Sequence, residues 1–140
     1  MGLIAAQVPV VVDASFAVAG ILGDESVNAS WERWAMEGRV LLAPPIVWSE
    51  VGNALLGRQK VPLAEVVAGL QALEMAGLET ADRGPLGVQF AIALAERHRL
   101  SVYDATYLWL AIDIDGELAT RDRALARAAD AEDIPLYDGT

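Results

Sequence analysis

The chain has 140 residues, 54% of them hydrophobic, with 10 Lys and Arg against 20 Asp and Glu and a net charge of -10. That is enough apolar material for one sizeable core and hardly two, and the lack of cysteine excludes disulfides, thiolate metal sites and thiol nucleophiles. The acidic balance argues against broad adhesion to DNA, RNA or anionic lipid, so a nucleic acid partner needs a local device such as bound cations.

In chain order, the opening segment MGLIAAQVPVVV has no basic stretch, and its apolar run meets Asp13 too early for a membrane span or a signal peptide. A cytoplasmic location without membrane attachment is expected. Residues 8–12 predict a strand, and Asp13 stands where the N-cap of a following helix with Phe16, Ala17, Ile21 and Leu22 would sit. A second helix carries Trp31 and Trp34, and residues 40–43 predict a short strand. Pro44 and Pro45 break the chain before a helix whose apolar positions are Val47, Val51, Ala54 and Leu55. Pro62 and Pro85 read as first-turn residues of helices over 63–75 and 86–99. Residues 102–114 predict a helix, 117–120 a strand, 123–129 a helix and 134–137 a last strand. The alternation predicts one α/β domain over 1–140, a three-layer α/β/α sandwich with a central parallel sheet.

Such sheets place working residues beyond the carboxyl ends of their strands, where strand order reverses. Asp13 follows the first strand, and Asp122 follows the strand ELAT. Glu50 lies on the helix after the double proline, with Asn53 three residues later on the same face. Asp104 precedes the apolar stripe of Tyr107, Leu108 and Ala111. Taken singly, Asp13 and Asp122 read as N-caps, Glu50 as a solvated helix residue, and Asp104 as a further cap. Taken together, four converging carboxylates would repel one another unless a divalent cation neutralises them. Oxygen ligands with retained waters are the coordination that Mg²⁺ or Mn²⁺ prefers.

The segments VVVDASFAVAGILGDE, SEVGNALL, LSVYDATYLWLA and LATRDRALARAA, in that order and spacing, resemble the PIN-domain ribonucleases, most closely the VapC toxins of toxin–antitoxin pairs. The similarity runs from Val8 to the last strand. It implies Mg²⁺- or Mn²⁺-dependent cleavage of RNA, and it carries the family's acidic quartet onto Asp13, Glu50, Asp104 and Asp122. The supporting hydroxyls fall on Ser15 and Thr120, and the helix amide on Asn53. Trp109 departs from the small residues common there and marks a different packing or a dimer surface.

Phosphodiester hydrolysis needs a nucleophile generated near neutral pH and compensation for charge developing on the phosphate. On this reading Asp13, Asp104 and Asp122 hold the metal, Glu50 ligates it or orients the attacking water, and Ser15, Thr120 and Asn53 support them. Two-imidazole catalysis is excluded, since His98 is the sole histidine. Arg58 and Lys60, or Arg121 and Arg123, either meet the RNA phosphates or balance the acids. Two rival classes remain. A haloacid-dehalogenase-like domain needs an Asp where Ser15 stands and a receiver-like domain needs a late lysine, whereas the only lysine is Lys60. A catalytically silent binding module would have no need of four acids. The 4 tryptophans predict an interface. In VapC-like proteins that means a homodimer and a VapB-like antitoxin, whose arginine could pair with the acids.

Overall fold

A computed structural model describes residues 7–138. Residues 1–6, which open the segment read for a leader, lie outside them. Strand β1 (Val10–Val12) runs fully buried through the middle of the molecule. It is followed by α1 (Ala14–Ile21), α2 (Glu25–Glu37), β2 (Leu41–Ala43), α3 (Val47–Asn53), α4 (Leu63–Met75), β3 (Leu78–Thr80), α5 (Gly84–His98), α6 (Val102–Ile114), β4 (Glu117–Ala119) and α7 (Arg123–Ala131). Three Val side chains in a row suit a strand buried on both faces, as a parallel sheet between helices requires.

All pairings are parallel, in the order β3-β2-β1-β4. The chain moves outward from β1 through β2 to β3, then returns to the other side of β1 to form β4. Because parallel crossovers are right-handed, this reversal sends the connecting helices to the opposite face. Helix α1 packs on α2 and α3, while α5 lies along α6, and α6 sits against β1 and β4. The result is the expected α/β/α sandwich, and its switch point lies between β1 and β4.

Several expectations need correction. The strand β3, LET, was not anticipated, because only Leu78 of its three residues is buried and the other two are exposed. An edge strand with one inward residue has no readable alternation. The last strand shrinks to a single bridge between Leu118 and Leu136. Pro62 is the N-cap of α4 rather than a first-turn residue, whereas Pro85 does lie in the first turn of α5. Helix α5 ends at His98 because Arg99 turns left-handed, with φ of 56°. Finally, α3 does not stop at Asn53 but passes into a π-helical segment, Ala54–Arg58. Leu55 is still delivered to the core there, and Leu56 is turned outward. The predicted apolar stripes hold after the double proline and on α6, where Val47, Val51, Leu55, Tyr107, Leu108 and Ala111 are buried, whereas at α1 Phe16 and Ala17 are buried but Leu22 is exposed.

Candidate functional site

The register places the site. Val12 pairs with Ala119, and the Asp13 N–H extends the ladder to the Ala119 carbonyl at 3.1 Å. Asp13 and Thr120 are therefore side by side, each one residue past its strand. The Thr120 hydroxyl donates to Asp13 Oδ2, while Ser15 Oγ donates to Asp13 Oδ1 at 2.7 Å. The Phe16 N–H donates to the same Oδ1 at 2.9 Å, so Asp13 caps α1 as the sequence suggested. Each hydroxyl also accepts a backbone N–H from the β4–α7 turn: Arg121 to Ser15, and Asp122 to Thr120, both at 2.9 Å. Two hydroxyls thus tie the ends of β1 and β4 into one rigid corner around a carboxylate.

The other acids approach from separate elements. Asp122 caps α7, its Oδ1 accepting from the Ala124 and Leu125 N–H groups at 2.8 and 3.1 Å. Asp104 lies in the first turn of α6 but is not its cap. That part belongs to Ser101, whose hydroxyl accepts the Asp104 N–H at 3.0 Å and leaves the Asp104 carboxylate unspent on backbone. Glu50, half-buried on α3, is held by Tyr107 of α6, whose hydroxyl donates to Glu50 Oε1 at 2.6 Å. Sequence reasoning had placed Tyr107 only in the apolar stripe. The spacing of a buried tyrosine three residues after Asp104 was the available signal, since a buried Tyr hydroxyl usually finds a partner.

Electrostatics binds these pieces into one cluster. Burial pushes Asp13 up to about 6, despite three hydrogen bonds that favour its ionised form, and the Asp122 charge adds to the rise. Burial also raises Glu50, opposed by the Tyr107 bond and reinforced by the Asp104 charge. Asp104 is raised by burial and by the charge of Asp122, against the Ser101 hydrogen bond. Tyr107 is driven far above the usual tyrosine range by burial and by its bond to Glu50, with smaller effects from Asp13 and Asp104. It is therefore a permanently neutral donor amid negative charge.

The supporting positions divide. Ser15 and Thr120 bond Asp13 as expected, but Asn53 is exposed and makes no hydrogen bond to any of the acids among the described residues. Arg121 is ion-paired with Asp24, the N-cap of α2, while Arg58, Lys60 and Arg123 are exposed. His98 lies in the last turn of α5, with Nε2 2.6 Å from Oε2 of Glu132, the C-cap of α7, which Arg97 also pairs at 2.8 Å.

Among the described residues no group of three acids forms a ready-made metal-ligand set. The donor chemistry nevertheless fits a hard divalent cation: four carboxylates offering only oxygens, three of them, Asp13, Glu50 and Asp104, raised by burial and further by a neighbouring acid's charge. Mg²⁺ commonly takes one or two carboxylates directly and keeps several waters, so a complete protein cage is not required. Such a cation would offset the burial, and the smaller like-charge repulsion, that raise Asp13, Glu50 and Asp104.

Among solved structures, the chain is similar to PAE2754 from Pyrobaculum aerophilum, with TM-score 0.66 and 23% identity over 86% of this chain and 84% of that one. It is also similar to VapC20 from Mycobacterium tuberculosis, described as a sarcin–ricin loop cleaving toxin, with TM-score 0.67 and 20% identity over 85% of this chain and 94% of that one. At such identities the likeness is one of fold. No curated protein matches the sequence significantly. The model of the PIN domain family matches residues 10–131, from the first buried strand to the last helix, and the chain belongs to that family.

Proposed function

We propose that residues 1–140 act as one PIN-like nuclease domain, a metal-dependent endoribonuclease that serves as the toxin of a toxin–antitoxin pair. What supports this reading is the charge coupling that links Asp13, Asp104 and Asp122, and Glu50 to Asp104, near the switch point of the sheet, with Asp13 buried yet held by three donors. Asp13, Asp104 and Asp122 would hold Mg²⁺ or Mn²⁺, directly or through water, and the ion would supply a water acidic enough to lose a proton near neutral pH and charge to offset that of the phosphate. The protein's own groups do the rest. Ser15 and Thr120 fix the Asp13 carboxylate, and Tyr107 fixes one oxygen of Glu50, leaving Oε2 to ligate or to take the proton of the attacking water. Attack at phosphorus with loss of the 3′ oxygen leaves a 5′-phosphate and a 3′-hydroxyl. The similar M. tuberculosis toxin, named for cleaving an RNA loop, supports RNA as the substrate class.

Arg121 can meet a backbone phosphate only by leaving Asp24, whereas Arg58, Lys60 and Arg123 are exposed and can do so directly. For partners, this reading includes a VapB-like antitoxin and a homodimer. On this reading the antitoxin could lie against a groove of about 610 Å³ between α1 and α4, lined by Ile21, Leu22, Val61, Glu65, Gly69 and Ala72. Among the described residues no helix is long and apolar enough to cross a membrane. The reading is of a cytoplasmic enzyme. Incubation with a mixed RNA pool and Mg²⁺ or Mn²⁺ should give discrete fragments bearing 5′-phosphates, and EDTA should abolish them. Intact RNA in both would exclude the nuclease.

A further inference from the structure

Beside the acidic corner lies a cavity of about 340 Å³ that the proposed chemistry leaves unused. Its walls come from the chain just past the carboxyl ends of β2 and β3, through Pro45, Ala81 and Arg83, and from α6, through Tyr103, Thr106 and Trp109. It therefore opens on the same edge of the sheet as Asp13, the edge where open α/β sheets bind ligands. Tyr103 is the chain neighbour of Asp104, and its ring is 60% exposed. Trp109 is held in place by stacking on Phe90, with ring centroids 4.4 Å apart and planes 17° from parallel. Neither the Tyr103 hydroxyl nor the Trp109 indole N–H has a hydrogen-bond partner among the described residues. Of the two charged residues in the wall, Arg83 pairs with Asp113 at 2.8 Å, whereas Asp82 keeps its negative charge, its Oδ1 accepting only the Gly84 N–H at 2.8 Å among the described residues.

A largely apolar, aromatic-walled cavity with two free donors, no free cation and the Asp82 carboxylate at its wall suits an uncharged heteroaromatic ring better than a phosphate. It is also too small for a protein helix, whose diameter with side chains is about 10–12 Å. Resting on the nuclease reading, we propose that this cavity receives one unpaired nucleobase of the RNA next to the scissile phosphate, stacked on Tyr103. The Trp109 indole N–H then faces its polar edge as donor and the Thr106 hydroxyl, which itself donates to the Tyr103 carbonyl, as acceptor, and a base paired in a duplex is excluded because it cannot turn into the cavity. Cleavage would thereby be confined to single-stranded loops and ends, where proteins can splay bases onto aromatic side chains.

The test uses Asp13→Asn protein, which should bind RNA without cutting it, and a short single-stranded oligoribonucleotide. The Trp109 indole N–H resonance should move on titration, and Tyr103→Ala in the same background should weaken binding by about tenfold to a hundredfold. With active protein, an abasic residue scanned along the substrate should slow cleavage by a similar factor at one position. At that position Tyr103→Ala should add no further loss. An unmoved indole at saturating RNA, or Tyr103→Ala that binds and cleaves like its parent, would overturn the proposal. So would an indole shift produced by concentrating the protein without RNA, which would assign the cavity to a second copy. The two readings fail separately. Cleavage with an unmoved indole removes the base cavity alone, whereas an indole shift sensitive to Tyr103→Ala, with no cleavage by wild type in Mg²⁺ or Mn²⁺, removes the nuclease and leaves an RNA-binding cavity.

Discussion

Asp13 occupies two positions at once, in the chain as the cap of α1 and in space as the most buried acid of the cluster. Capping alone does not explain it, because an N-cap normally sits at the surface, whereas Asp13 is 4% exposed. Its carboxyl is raised from 3.8 to about 6, so the folded state holds its proton more tightly than the unfolded chain does. The cost to folding is therefore absent below 3.8, grows as pH rises through that interval, and is complete above about 6. The interval corresponds to roughly 3 kcal/mol. Metal-free wild type should melt higher at about pH 5 than at about pH 7.5, and Asp13→Asn should flatten that dependence. Melting curves in EDTA at the two values check it. A wild type that melts lower at the acidic value would mean that Asp13 is not the strained group.

At the same scale, Tyr107 is the residue whose importance depends on one atom. Tyr107→Phe keeps the ring in the core and removes only the donor to Glu50 Oε1. Mn²⁺ affinity and kcat should fall by about 10- to 100-fold, as is usual when the partner of a metal-site ligand is lost, with KM for RNA unchanged. In a Glu50→Gln background the same change should leave Mn²⁺ affinity nearly where it was. Titration calorimetry of the four proteins separates a positioning role from simple loss of packing.

At the scale of elements, α6 and α7 start in different ways, and that difference separates structure from chemistry. Helix α7 is capped by a candidate metal ligand, so Asp122→Ala should lose both stability, by about 1 kcal/mol, and activity. Asp122→Ser retains a good cap without the carboxylate. It should fold nearly as well as wild type while cleavage collapses, a contrast readable from paired melting and activity assays. Helix α6 is capped by Ser101, so Asp104 has no capping duty to lose. Asp104→Asn should melt higher than wild type in EDTA, because it removes a carboxylate raised by burial and by Asp122. It should be inactive as well. A mutant that melts lower would return Asp104 to a structural part.

For the whole molecule, the proposed reading links stability to a divalent cation. Asp13, Glu50 and Asp104, raised by burial and by neighbouring charge, cost the bare fold stability, and anything that binds them only in the folded state stabilises it by mass action. Adding Mg²⁺ or Mn²⁺ should therefore raise the melting temperature of wild type, more at about pH 7.5 than at about pH 5, since protons compete for the same oxygens. Asp104→Asn should respond little. Differential scanning calorimetry with and without metal provides the measurement.

Much of this was legible before any coordinates. Parallel order follows from alternating strands and helices, and the four acids are conspicuous because each stands at a strand end or helix start beside an apolar stripe. The stripes were readable for a physical reason: burial of one helix face imposes a period on the sequence. The segments that carry no period, the edge strand β3 and the π-helical end of α3, were not. What only the tertiary structure decided is which atoms meet. The pairing of Val12 with Ala119 sets Thr120 against Asp13, and the tertiary fold brings Tyr107 of α6 to Glu50 of α3 as its partner. Arg121 is drawn to Asp24, and Asn53 is left in solvent. Hydrogen-bond partners lie up to 107 residues apart in the chain, and no local pattern encodes them. They follow from register and crossing geometry, which the core as a whole determines.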